Sequence, residues 1–321
     1  MATVISAIGA VLPMSRSLAA QVANQKAREF AERIIQVQTN DDIVDSGEVF
    51  APPKDVAKPI AVIWIHGWGV NFYFPTYVAI SRALTERGYT TITGNTRMHD
   101  LGNMEALRGD ERIRGGGYWG VPSEQVRDIA AWIDLAGRLG FKQVVVVGHS
   151  AGATAVQTYQ AQTQDTRVVG MALASGNLRP DTRVPDPQWI AEAKRMIADG
   201  RPEDLVQGPF VSAATFMDIV NTPPEFKDFF GIQATPNPGV ARIRCPLLAF
   251  FGTHEDVGNE EDLELLKSSI KHQHAGPTRV NVVMIQGADH MYAGQEDQVA
   301  EVIARWADTL LPANKGKSNA P

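Results

Sequence analysis

Short apolar runs recur along the chain, and turn residues close each of them. Ile60–Ile65 ends at His66-Gly67, Tyr89–Thr93 at Gly94-Asn95, Gln143–Val147 at Gly148, Val168–Ala174 at Ser175-Gly176-Asn177, Leu247–Phe251 at Gly252, and Val280–Ile285 shortly before Gly287-Ala288. Runs of this length and composition read as strands. In Val144–Val147 four valines stand together with no polar residue among them. Such a strand suits a parallel sheet covered by helices on both faces. Helical spacing fills most of the intervals. From Ser123 to Leu139, Val126, Ile129, Ala130, Ile133 and Ala136 share one face, while Arg127, Asp128 and Asp134 fall elsewhere. Ser123 fits an N-cap after Pro122, and Gly140 fits a stop. Further helices are expected over Thr76–Arg87 and Asp297–Leu311. Strands alternating with helices predict an α/β fold with a doubly wound, mainly parallel sheet flanked by helices.

Two stretches break the alternation. Ile35–Thr39 and Gly47–Phe50, separated by Asn40-Asp41-Asp42, predict an antiparallel hairpin at one edge. Arg179–Arg244 is too long for an ordinary connection. It holds nine of the nineteen prolines and five of the twelve phenylalanines, Phe210, Phe216, Phe226, Phe229 and Phe230, with helical spacing over Ile190–Met196. It reads as a cap inserted over the strand ends, where ligands sit in open α/β sheets. The expected division is an N-terminal arm or helix (1–34), the first part of the core (35–178), the cap (179–244), the second part of the core (245–312) and a disordered tail (313–321).

Composition narrows the function classes. Of the 321 residues 44% are hydrophobic and 21% charged, enough for a large core. The net charge of −6 comes without a basic patch, so nucleic acid is not an expected partner. Cys245, the single cysteine, excludes an internal disulfide and reads as a small buried hydrophobe before Pro246. Val4–Leu12 is apolar but too short to span a membrane and has no basic residue before it. That favours an arm and a cytoplasmic chain; a secreted or periplasmic one stays open, as does a homodimer.

The valine run feeds directly into Gly148-His149-Ser150-Ala151-Gly152, and Ala151–Gln157 reads as the start of a helix. A Gly-x-Ser-x-Gly between strand and helix holds its serine on a strained elbow at the end of the sheet. Serine needs a base to become a nucleophile. Of the seven histidines, His290 follows the last apolar strand through Gln286-Gly287-Ala288-Asp289, at the same sheet edge as Ser150. The base in turn needs a carboxylate to orient it. Glu255 and Asp256 both follow Phe251-Gly252 and both remain candidates; Asp289 reads as a loop residue. Oxyanion donors are expected from the backbone N–H groups of Ala151 and of Trp68, in the loop His66-Gly67-Trp68-Gly69. Gly67, Phe72, Trp119, His149 and Phe216 are the expected substrate contacts. Gly115–Gly120 matches Gly-x-Gly-x-x-Gly, but it follows Glu111–Arg114, read as no strand, and Val121-Pro122 follow it. It lacks the context of a dinucleotide site.

With these residues in place the chain resembles the α/β-hydrolase fold family over roughly Ile35 to Leu311. The resemblance rests on His66-Gly67-Trp68-Gly69, on the elbow, on Gly252 with Glu255 and Asp256, and on Gly287–His290. Asn71-Phe72-Tyr73 and Asn95–Asp100 look like stretches of esterase-like and lipase-like members. The resemblance implies hydrolysis with no metal and no organic cofactor. The expected activity is cleavage of a small carboxylic ester with an apolar acyl or aryl group through an acyl-enzyme. Amide, lactone, thioester or carbon–carbon hydrolysis, or a non-catalytic binding role on the same scaffold, are the alternatives.

Overall fold

The computed structural model describes residues 30–108 and 111–311. The expected arm as far as residue 29 and the expected tail lie outside the described residues. Among the described residues ten strands form one sheet. Its parallel half holds β3 (Ile60–Ile65), β4 (Thr90–Gly94), β7 (Gln143–His149), β8 (Val168–Ala174), β9 (Leu247–Gly252) and β10 (Val280–Ile285), in the order β10-β9-β8-β7-β3-β4. The hairpin of β1 (Ala31–Gln38) and β2 (Ile43–Ala51) joins antiparallel, β2 lying against β4. β1 begins at Ala31, before the Ile35 that the alternation singles out.

Each central strand is buried on both faces. Ile63, Val146, Met171 and Ala249 face one side, under the helices α2 (Gln125–Arg138), α3 (Ala151–Thr163) and α7 (Glu260–Lys271). Val62, Val145, Ala172 and Leu248 face the other side, under α1 (Pro75–Glu86) and α8 (Glu296–Asp308). This is why the strands read as unbroken apolar runs. Cys245 is buried in the first of these two cores, and burial pushes its thiol up to about 11. Among the described residues no helix is long and apolar enough to cross a membrane.

Three local readings change. Ser123 caps no helix: its backbone N–H and hydroxyl both bond Asp218, and a 3₁₀ turn over Pro122–Glu124 precedes α2. Asp128 is fully buried rather than on a polar face, because Arg97 donates to it through Nε, Nη2 and its backbone N–H. β5 (Asn103–Leu107) and β6 (Arg112–Gly115) form an antiparallel hairpin that the sequence hides. β6 is mostly exposed and charged, so no apolar pattern marks it. A strand therefore does precede the Gly-x-Gly-x-x-Gly stretch, but it is antiparallel, and a turn and the 3₁₀ segment separate it from α2.

Between β8 and β9 the chain forms α4 (Pro187–Ala198), α5 (Ala213–Val220) and the short α6 (Pro224–Lys227). Asp186 caps α4 through Gln188 N–H, and Ser212 caps α5 through Thr215 N–H. Ala193, Val206, Ala213 and Phe216 make a small core of this segment alone, whereas Phe229 and Phe230 pack into the main core beside α3.

Candidate active site

Register brings the carboxyl ends of five strands to one edge. Ile65 pairs with Gly148, His149 with Ala174, Ala174 with Phe250, and Gly252 with Ile285. Ser150 stands beyond β7 at φ 54° and ψ −121°, a strained conformation for a residue with a side chain. Close packing holds it there: a Cβ at Gly148 would lie 2.2 Å from the Gly152 carbonyl oxygen, so only glycine permits the turn. Ser150 N–H donates to Ala174 O at 2.8 Å. Ala151 is the first residue of α3, so its N–H has no acceptor within the helix.

The loops after β9 and β10 interlock. His254 N–H donates to Ala288 O at 2.9 Å, and a Cβ at Gly252 would meet that same oxygen at 2.2 Å. This approach sets Glu255 against His290, Oε2 to Nδ1 at 2.9 Å. The other carboxylate oxygen accepts from Gly252 N–H at 2.5 Å and from the Ser175 hydroxyl at 2.6 Å. Ser175 in turn accepts from the Tyr292 hydroxyl at 2.5 Å, since its own proton is committed to Glu255. The Glu255 side chain is buried and that of His290 is partly open. Asp256 is exposed, and Asp289 accepts from the backbone of Met291 and Ala293, so His290 meets Glu255 and neither of these. A histidine held at Nδ1 by a buried carboxylate is free to exchange protons at Nε2.

On the other side of Ser150, His66 organises the loop after β3. Burial pushes its imidazole down to about 4, so it is neutral at physiological pH. Nε2 accepts from Thr96 N–H at 3.0 Å, which leaves Nδ1–H to donate to Gly67 O at 2.7 Å. In a trans peptide the N–H lies opposite its carbonyl. Anchoring Gly67 O on His66 therefore turns Trp68 N–H away from that ring.

Gly67, Trp68 and Ala151 line a cavity of about 400 Å³, within the range of small-molecule sites. Met98, Val211 and Ile219 add apolar wall, and Arg183 is its one charged lining residue. Four expected substrate contacts lie elsewhere. Phe72 is buried, with its N–H bonded to Asn95 Oδ1. Trp119 donates to Glu203 O and carries Arg114 over its ring. Phe216 belongs to the small core between β8 and β9. His149 is buried and bonded on both ring nitrogens. Only Gly67 of the five lines the cavity. Ser175 and Tyr292 were not anticipated; the sole hints were a serine at a strand end and a tyrosine two residues past the histidine. Among the described residues no cluster of His, Cys, Asp and Glu could hold a metal ion.

Comparisons with known proteins agree with this architecture. No curated protein gives a significant match. Est1E from Butyrivibrio proteoclasticus, solved with ferulic acid bound, superposes with a TM-score of 0.61 at 17% identity, over 86% of this chain and 98% of that one. The Pyrococcus furiosus esterase Pf2001 superposes with a TM-score of 0.56 at 16% identity, over 88% of this chain and 94% of its own. The esterase domain of a Rhodothermus marinus protein gives 0.54 at 16% identity, over 87% and 98%. At such identities the likeness is one of fold. The model of the alpha/beta hydrolase family matches residues 62–304, three quarters of the sequence, and the chain belongs to that family.

Proposed function

We propose that the protein is a serine hydrolase that cleaves a carboxylic ester, with Ser150 as nucleophile, His290 as base and Glu255 as the orienting acid. The observation that carries this reading is the hydrogen bond of the buried Glu255 to His290 at the same sheet edge as the strained Ser150. His290 takes the Ser150 proton as the hydroxyl oxygen attacks the ester carbonyl carbon. The oxyanion accepts hydrogen bonds from Trp68 N–H and Ala151 N–H, each worth about a hundred- to a thousandfold in rate. The tetrahedral intermediate collapses, and His290 returns the proton to the departing alcohol. Water, deprotonated by His290, then releases the acid from Ser150.

The cavity supports an apolar acyl or aryl group, since Trp68, Met98, Val211 and Ile219 line it. The ferulic acid bound by Est1E is an aromatic acid. Residues 179–244 act as its cap through Arg183, Val211, Thr215 and Ile219, with Phe216, Phe226, Phe229 and Phe230 serving as packing and Phe210 exposed. Turnover of p-nitrophenyl butyrate and of aryl esters tests the reading. Ser150→Ala is expected to lower kcat by about 10⁴-fold or more; unchanged turnover would exclude Ser150 as nucleophile.

A further inference from the structure

His149 sits beside Ser150, is withdrawn from solvent, and has no task in the mechanism above. We infer that His149 is a positioning residue which, together with Tyr77, holds the His290 loop and the oxyanion loop in register with the nucleophile. This rests on the hydrolase reading above.

One string of hydrogen bonds joins the three elements. His149 Nε2 lies 2.8 Å from the carbonyl oxygen of His290. Its Nδ1 lies 2.7 Å from the Tyr77 hydroxyl, and that hydroxyl accepts from Gly67 N–H at 3.3 Å. The direction of the string follows from the inventory of donors. A carbonyl only accepts, so Nε2 carries the proton. Burial keeps the imidazole neutral, down to about 3, with the adjacent His290 ring adding to the shift. Nδ1 is therefore bare and accepts from Tyr77. Each group in the string is used, and reversing any link would leave a buried donor unpaired.

The ring is also clamped. Trp64 stacks on it at 6.4 Å between centroids, and Tyr292 meets it edge-on at 5.5 Å. Tyr292 is the residue whose hydroxyl supports Ser175 and, through it, Glu255. His290 thus has two anchors of different kinds: Glu255 on its ring and His149 on its backbone. The second sets where the ring starts from; the first sets how it turns. Gly67 is the neighbour of the Trp68 N–H, so the far end of the string holds the oxyanion loop.

The test uses the full chain, with labelling of Ser150 by a fluorophosphonate, kinetics on p-nitrophenyl butyrate and thermal unfolding of each variant. His149→Ala is expected to lower kcat about ten- to a hundredfold with KM within about twofold, the size of effect expected when reacting groups shift by about an ångström. His149→Gln, whose amide N–H reaches the Nε2 position, should recover most of that loss. Tyr77→Phe should lower kcat about three- to tenfold, and it decides the matter if His149→Ala does not fold. Wild-type kcat in folded variants, or no recovery in His149→Gln, overturns the positioning role while leaving the hydrolase intact. A wild-type protein that neither labels nor turns over ester overturns the hydrolase reading and this inference with it.

Discussion

Glu255 and Asp45 are both carboxylates withdrawn from water, and the fold treats them in opposite ways. Glu255 lies in a loop past the end of β9, where three groups reach it: Gly252 N–H, the Ser175 hydroxyl and His290 Nδ1. Asp45 projects from the middle of β2, and neither of its oxygens has a hydrogen-bond partner. Inside a sheet the backbone donors are spent on the ladder, so a mid-strand carboxylate finds none. Burial, with Asp128 and Glu105 close by, raises the Asp45 pKa well above the ordinary value. A buried carboxyl thus finds donors where loops at strand ends supply them, and is pushed toward its neutral form where they cannot. Asp128 shows the third solution, a buried carboxylate held by Arg97.

The contrast can be broken most sharply at Glu255. Glu255→Gln should lower kcat by about 10³- to 10⁴-fold on an ester substrate, because His290 loses both its orientation and the counter-charge for its imidazolium. Asp256→Asn should stay within about twofold of wild type. Steady-state kinetics on the two variants compare them directly, and a larger fall for Asp256→Asn would transfer the role to that residue.

A smaller effect is expected one step back. Ser175→Ala leaves one buried oxygen of Glu255 with a donor fewer and should lower stability by about 1.5–3 kcal/mol, as for hydrogen bonds to charged groups. Tyr292→Phe keeps the Ser175 donation and should cost about 1 kcal/mol. Denaturant midpoints measure both. Equal losses in the two variants would mean that Ser175 does not act through Glu255.

Asp45 gives the effect with the opposite sign. Its folded-state pKa is raised, so the stability it lends is full below the ordinary carboxylate range and is lost as pH rises through the raised value. An asparagine at this position would have no proton to lose. Asp45→Asn should therefore gain stability over wild type as pH rises, match it in acid and leave ester turnover unchanged. Thermal unfolding between about pH 4 and pH 8 would show this, and a variant less stable at the higher pH would mean that the carboxylate has a partner after all.

The parallel core was legible because its signals are local. Val144–Val147 makes a buried strand by the stiffness and bulk of its side chains, and Gly148 and Gly152 open the turn that follows. Ser150, His290 and the Glu255-Asp256 pair could be brought to one edge by counting from strand ends alone. The β5–β6 hairpin was not legible, because an edge strand such as Arg112–Gly115 needs no apolar face. The phenylalanines misled for a related reason: bulk and hydrophobicity say that Phe216, Phe229 and Phe230 are buried, not against what.

The sequence by itself therefore determined where along the chain the proposed residues fall: Ser150 after β7, Glu255 and Asp256 after β9, His290 after β10. Only the tertiary structure set Glu255 rather than Asp256 against His290, placed His149 in the Tyr77–His290 string and outside the lining of the cavity, and brought in Ser175 and Tyr292. The physical reason is the same in each case. Position along a strand follows from local backbone preference, whereas the direction in which neighbouring loop side chains point is set by contacts between loops far apart in sequence, here the closure of Gly252 on Ala288.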